Sequence, residues 1–308
     1  MNPLPSQRHE LNSGADAVLE PASLPARASP WSRTARRLQR DPAAMAGLAV
    51  VTAFACIALG VWAGWWATDW AETGDARWAP PSAAHWLGTT LLGQDILARA
   101  LASTATAFEV GLTVSLGATL LGALLGSFGG YFAHTPVDGL VLWIKGVLDA
   151  IPFYLFVAAL AFALDGHPLA MHAAMIATFW TTTARLVRGE MIRLKNLEFV
   201  EAARGIGLSA PTIVYRHLLP NTAHILLVQA SIVFIAAIKT EVILSFLGLG
   251  IQDGISWGLM IAEATNEVVS GRYMNFVTAS GFMFALVMGF NLFVDGLQDA
   301  LDPRGANR

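Results

Sequence analysis

Three ionisable side chains stand where an apolar chain has little reason to place them: Lys239, Glu241 and Asp149. Each lies within a run of apolar residues long enough to cross a bilayer. An ionised group at the bilayer centre costs at least about 2.5 kcal/mol, so each is expected to face protein or water. Lys239 and Glu241 are two residues apart, which on a helix sends them to roughly opposite faces, so they cannot pair with each other. Asp149 lies at similar depth and is the natural partner for Lys239 in a buried pair. A Lys239 that contacts solute, or one that snorkels to the interface, are the competing readings. Lys145 precedes Asp149 by four residues, the weaker order for such a helical pair.

Other chemistry finds little support. The seven histidines are scattered, and none forms a two-histidine helical pair beside a carboxylate, so no metal site is expected. Gly126–Gly130 is glycine-rich but lacks the Gly-Lys-Ser/Thr ending of a phosphate loop; inside a span it is expected to permit close helix packing. Cys56 is the single cysteine, which excludes an internal disulfide and a thiolate cluster. No serine–histidine–acid or paired-carboxylate constellation suggests hydrolysis. The chain reads as a non-enzyme without cofactor.

The elements that must position these residues are membrane helices. Of the 308 residues 55% are hydrophobic and 13% charged, against roughly 25% charged in soluble chains. The net charge of −3 offers no basic field for nucleic acid. Six spans are expected: Ala43–Trp66, Ala105–Phe132, Val137–Ala163 with a kink at Pro152, Leu169–Ala184, Ala223–Gly250 and Phe276–Val294. Backbone groups in lipid must be satisfied within their own segment, which makes the fold an all-α polytopic bundle. Residues 1–42 read as a disordered tail ending in Arg33, Arg36, Arg37 and Arg40, and 67–104 as a polar loop. Six basic residues in that tail, six in 185–222 and two after the last span face only Arg77, Arg99 and Arg272 on the other side. The positive-inside rule then places both termini and the 185–222 loop in the cytoplasm.

That loop is far longer than a connection requires, which suggests docking. Within it Val200–Ile206 reads as a short helix that Gly207 stops, since glycine accepts the left-handed conformation. Ser209 can cap a second helix with Pro211 in its first turn, and Pro220 is expected to end it. An amphipathic loop lying on the membrane is the bland alternative.

The stretch Glu201 to Asn221 resembles the EAA loop of ABC-importer permeases: Glu201, Ala202, Ala203, Gly207, Leu219 and Pro220 fall at that family's spacing. Arg216, His217, Leu219, Pro220 and Asn221 are similar to the version found in the dipeptide, oligopeptide and nickel branch. His85–Thr89 with Gly93–Arg99 resembles the branch's external stretch, with Thr90, Gln94 and Ala98 in place of its usual Asp, Arg and Ser. Thr240-Glu241 with Leu244–Gly250, Ser256-Trp257-Gly258 with Met260, and Asp295–Arg304 resemble three further motifs. The likeness runs from about residue 40 to 304.

The resemblance implies a type I importer permease, with a core over 105–296, a coupling loop at 198–221 and a tail at 297–308. By the same resemblance it is expected to form half of the translocation pathway in a bacterial inner membrane. The implied partners are a second homologous permease, two ATPase subunits that bind the ATP, and a periplasmic or lipid-anchored solute-binding protein. Glu201, Ala202, Ala203, Arg204, Gly207, Arg216, His217, Leu219 and Pro220 are then the ATPase-docking residues, while Glu241 faces the pathway or the second permease. Di- or oligopeptides are the leading solutes, with nickel or another small solute as the alternative. An ion-coupled secondary transporter is a different class; it calls for inverted repeats, and none is evident.

Overall fold

The computed structural model describes residues 30–164, 167, 169–251 and 254–301. They form helices joined by turns, with one isolated antiparallel bridge between Thr89 and Asp95, so the all-α expectation holds. The first 29 residues of the expected tail, and Asp302–Arg304 of the last motif, lie outside the described residues.

The chain enters through α1 (Pro30–Leu38), which packs against α11 (Met274–Leu301). This arginine-bearing segment is therefore helical, not the end of an unstructured tail. Asp41 separates it from α2 (Pro42–Trp62), accepting hydrogen bonds from the Ala43 and Ala44 N–H groups at 2.9 and 3.2 Å. Pro42 sits in the first turn, where its missing N–H is harmless.

Helix α3 (Ile96–Tyr131) has 36 residues and begins well before the expected Ala105. Arg99 therefore belongs to its first turn and not to the preceding loop. Asp95 starts the helix by accepting the Ala98 N–H at 2.7 Å. A single arginine did not stop the helix because its charge is met on site by Glu263.

The third expected span is two helices, α4 (Pro136–Asp149) and α5 (Phe153–Ala163), bent by 95°. Pro152 lacks the N–H that would continue the helix and pushes Ile151 out of helical backbone. The fourth expected span falls short. Helix α6 (Ala170–Leu194) is apolar only as far as Arg185 and continues as a charged helix through Arg188, Glu190 and Arg193. Among the described residues four helices can cross a membrane by length and composition, or five if the bent pair counts as one, where six were expected.

Close approach of α3 and α6 builds the middle of the bundle. A Cβ on Gly122, Gly126 or Gly130 would lie 2.7, 2.5 or 2.6 Å from the carbonyl oxygens of Trp180, Ala184 and Arg188. The expectation that the glycine-rich run permits close packing holds at Gly126 and Gly130, whereas Gly129 makes only ordinary contact. Elsewhere on α3, Phe234 of α9 (Ala223–Phe246) meets Phe108 edge-on at 5.5 Å and stacks on Phe290 of α11 at 4.3 Å, joining three helices. Gly126→Leu is expected to destabilise the fold by about 1–3 kcal/mol through overpacking against backbone. Gly281→Leu, with open space around its Cβ, is the control, and thermal unfolding in detergent reads both. Equal melting temperatures would refute the seam.

Candidate functional site

The charged loop folds as an elbow. Helix α7 (Glu198–Gly205) buries Val200 and Ala203 against Val187, Met191 and Leu194 of α6 and against Ile213, Val214 and Leu218. Gly207, at φ +82°, closes it. The Gly207 N–H donates to the Arg204 carbonyl at 2.9 Å and the Leu208 N–H to the Ala203 carbonyl at 3.2 Å. These are the two bonds that satisfy helix-end carbonyls when a left-handed residue follows.

The second half departs from expectation. Ser209 makes no side-chain bond to the helix backbone; its hydroxyl lies 2.8 Å from that of Thr212. Pro211 is in the first turn of α8 (Ala210–Thr212), as predicted. Pro220 does not end the helix. A π-helical turn, Ile213–Leu218, and a 3-10 turn, Leu219–Thr222, lead directly into α9, so Ala210–Phe246 runs on for 37 residues. Widening the turn before the proline and tightening the one that contains it absorbs the missing N–H and the ring's bulk. The Asn221 side chain donates to the His217 carbonyl at 2.7 Å.

Of the residues expected to dock, Glu201, Ala202, Arg204, Gly207, Arg216 and Pro220 are exposed, and His217 and Leu219 are half-buried. Ala203 is buried and packs the elbow onto α6 instead of presenting a surface. Sequence reasoning missed Phe199 and Ile206, 41% and 77% exposed. Phe199, Ala202 and Ile206 recur at i, i+3 and i+7 and so share a face; that spacing was the available signal. Tyr131, at the end of α3, braces the elbow. Its ring lies 5.3 Å from the Arg204 guanidinium, and its carbonyl accepts from Lys195 at 3.2 Å.

A second tie beside the elbow was also missed. Asp138 of α4, buried, accepts from Arg188 of α6 at 2.7 and 2.8 Å and from the His134 N–H at 3.0 Å. The last bond holds a turn in which His134 has φ +68°. Fifty residues separate the two charged partners, so only the tertiary fold reveals the pair.

The intramembrane charges are arranged differently from the leading sequence reading. Asp149 pairs with Lys145 on its own helix, and Lys239 is exposed on the face of α9 with no ion pair among the described residues. Glu241 is 1% exposed and accepts the Ser245 hydroxyl at 2.5 Å, with Ser256 also hydrogen-bonded to it. The two motifs around Glu241 and Trp257 are thus halves of one hairpin, α9 to α10 (Trp257–Val269). A Cβ on Gly258 would lie 2.4 Å from the Val242 carbonyl, and the Trp257 indole donates to the Ala100 carbonyl at 3.2 Å. Asp149 borders a cavity of about 590 Å³, opened by the α4–α5 bend and lined also by Thr178, Thr182 and Arg185. Among the described residues no group of three His, Cys, Asp or Glu side chains could hold a metal ion.

At the far end of α3 the His85–Arg99 stretch folds back on that helix. His85 Nδ1 lies 2.8 Å from Asp95 Oδ2, and Arg99 reaches Glu263 of α10 at 2.6 Å and Gln94. Burial pushes the Glu263 carboxyl up, against the opposing pull of Arg99.

Residues 96–306 match the family described as binding-protein-dependent transport system inner membrane component, and 29–81 match the N-terminal membrane domain of oligopeptide transport permease C. The chain is 35% identical to the dipeptide transport system permease protein DppC of Bacillus subtilis, over 96% of its own length and 91% of that protein's. It is 36% identical to the glutathione transport system permease protein GsiD of Pectobacterium atrosepticum, covering 90% and 92%. To the oligopeptide transport system permease protein OppC of Mycobacterium bovis it is 36% identical, covering 73% and 77%.

Proposed function

Because the chain belongs to the binding-protein-dependent transport system inner membrane components of the OppC/DppC kind, a non-catalytic multi-pass permease of an ABC importer, we propose that it carries small peptides and is driven through the α7 elbow. The peptide assignment is supported by the names of its relatives, which handle dipeptides, oligopeptides and glutathione. The drive assignment rests on one observation. The exposed Phe199–Ala202–Ile206 face, flanked by Glu201 and Arg204, sits on a helix whose other face is packed into α6 and the π-helical turn Ile213–Leu218 that leads into α9.

In this reading two ATPase subunits seat on the α7 faces of this chain and of a second, homologous permease. ATP binding brings the ATPases together and displaces α7. Val200 and Ala203 pass the displacement to α6, and the glycine seam passes it from α6 to α3. Dense packing makes such contacts move as units instead of yielding. The binding protein docks at the opposite end, and the cavity beside Asp149 lies on the solute's route. Both termini and the elbow face the cytoplasm, in keeping with the excess of basic residues there.

Co-purification with the partner ATPase tests the assignment. Glu201→Lys leaves every buried contact of α7 in place, since Glu201 is exposed, and is expected to reduce ATPase recovery at least tenfold while the variant still inserts. Undiminished recovery would contradict docking at α7.

A further inference from the structure

The end of the bundle remote from α7 holds a compound cavity that the permease role does not use. Helix α3, about 54 Å long at 1.5 Å per residue, separates the two ends. One lobe, about 360 Å³, lies between the 67–95 loop and α10; the other, about 280 Å³, lies between that loop and the start of α11. Trp78 and Glu267 line both lobes, and each lobe is of the order of a small-ligand site, typically about 300–1,000 Å³.

Its polar groups are left over from folding. Asn275, 1% exposed, has neither its amide nitrogen nor its amide oxygen hydrogen-bonded. Trp78 Nε1 and Arg99 Nε are likewise buried without partners. Buried polar groups are satisfied in the great majority of cases, so each such group calls for an explanation. The charges do not balance either. Arg99 is committed to Gln94 and Glu263, whereas Glu267, 6% exposed, accepts only the Leu91 N–H at 3.1 Å and has no ion-pair partner among the described residues. The Arg99 guanidinium acts electrostatically on both Glu263 and Glu267, so one cation serves two carboxylates, and an ammonium group at Glu267 would supply the second. Arg272 does not do so, since its guanidinium lies over the Trp78 ring at 5.7 Å and donates to the Trp78 carbonyl.

We propose that this cavity binds a small peptide by its free amino end, with the ammonium at Glu267 and the peptide amides at Trp78 Nε1 and the Asn275 side chain. A carboxamide offers one donor and one acceptor side by side, the complement of a peptide bond, and an indole N–H suits a carbonyl. Leu91, Leu92 and Pro80 supply apolar walls for side chains without selecting among them. The site would receive solute as it leaves the binding protein, and it rests on the peptide reading given above.

The test uses the full transporter in nanodiscs without binding protein, with dialanine and N-acetyl-dialanine as probes in calorimetry. Dialanine is expected to bind saturably. N-acetylation and Glu267→Gln are each expected to weaken binding at least tenfold, and Trp78→Phe several-fold. Glu267→Gln keeps an oxygen for the Leu91 N–H, and Trp78→Phe keeps a ring under Arg272, so neither removes the contacts that hold the loop. ATP hydrolysis is followed in parallel. Absent dialanine binding with hydrolysis intact would overturn this site and leave the permease reading standing. Equal affinity for the acetylated probe, or in Glu267→Gln, would overturn it as well. Ammonium-dependent binding without hydrolysis would uphold the site and count against the docking assignment.

Discussion

Asp138→Ala is expected to cost the folded chain about 3 kcal/mol, the low end of the range for breaking a buried ion pair. The low end applies because the Arg188 side chain keeps 23% exposure and recovers some hydration. The loss exceeds that of an ordinary surface bridge because three donors converge on one carboxylate: two from Arg188 and the His134 N–H. Bidentate arginine–carboxylate geometry adds strength and fixes direction. The missing carboxylate would also release the left-handed His134 turn, and with it the angle between α3 and α4. Arg188→Ala is expected to cost a comparable amount, and the double variant no more than the worse single, because both singles break one interaction. Thermal unfolding in detergent checks all three. Additive losses would show that the two side chains contribute separately.

Gly207→Val is expected to reduce ATP-driven uptake in proteoliposomes at least tenfold while leaving the membrane bundle folded. Nothing lies within 4 Å of a Cβ built on Gly207, so the substitution meets no steric obstacle. Its whole effect comes from the backbone: at φ +82° an L-residue loses roughly 1–2 kcal/mol, and a β-branched one is a genuine outlier there. The chain would relieve the strain by opening the hydrogen bonds from Gly207 and Leu208 that end α7. Ile206 would then swing away from Phe199 and Ala202. Gly207→Asn, which tolerates the left-handed region, should keep most of the uptake. A valine variant that transports like the parent would show that the direction of chain exit at Gly207 does not matter for coupling.

The elbow was legible because its signals are local. A glycine that stops a helix, a proline that opens one, and small residues on a short amphipathic turn act within a few residues of themselves. The reading failed at Pro220 for an instructive reason. A proline removes one hydrogen bond, but a π-helical turn followed by a 3-10 turn can route the helix around it, and burial of Val214 and Leu218 holds the chain to that path. Arg99 and the fourth span erred in opposite directions. One charge did not exclude Arg99 from a span because Glu263 meets it from another helix. On α6 the apolar run ended at Arg185, while the helix itself continued as a charged extension beneath the elbow.

The sequence alone determined the all-helical membrane class and the position of the elbow, since each depends on composition or on spacing within a turn or two of helix. Only the tertiary structure decided which charges meet. Lys239 was matched with Asp149 on depth, yet the fold gives Asp149 to Lys145, leaves Lys239 at the surface and ties Asp138 to Arg188. Ion pairing depends on the rotation and bend of separate helices, and the 95° turn at Pro152 sets an orientation that no count of residues contains.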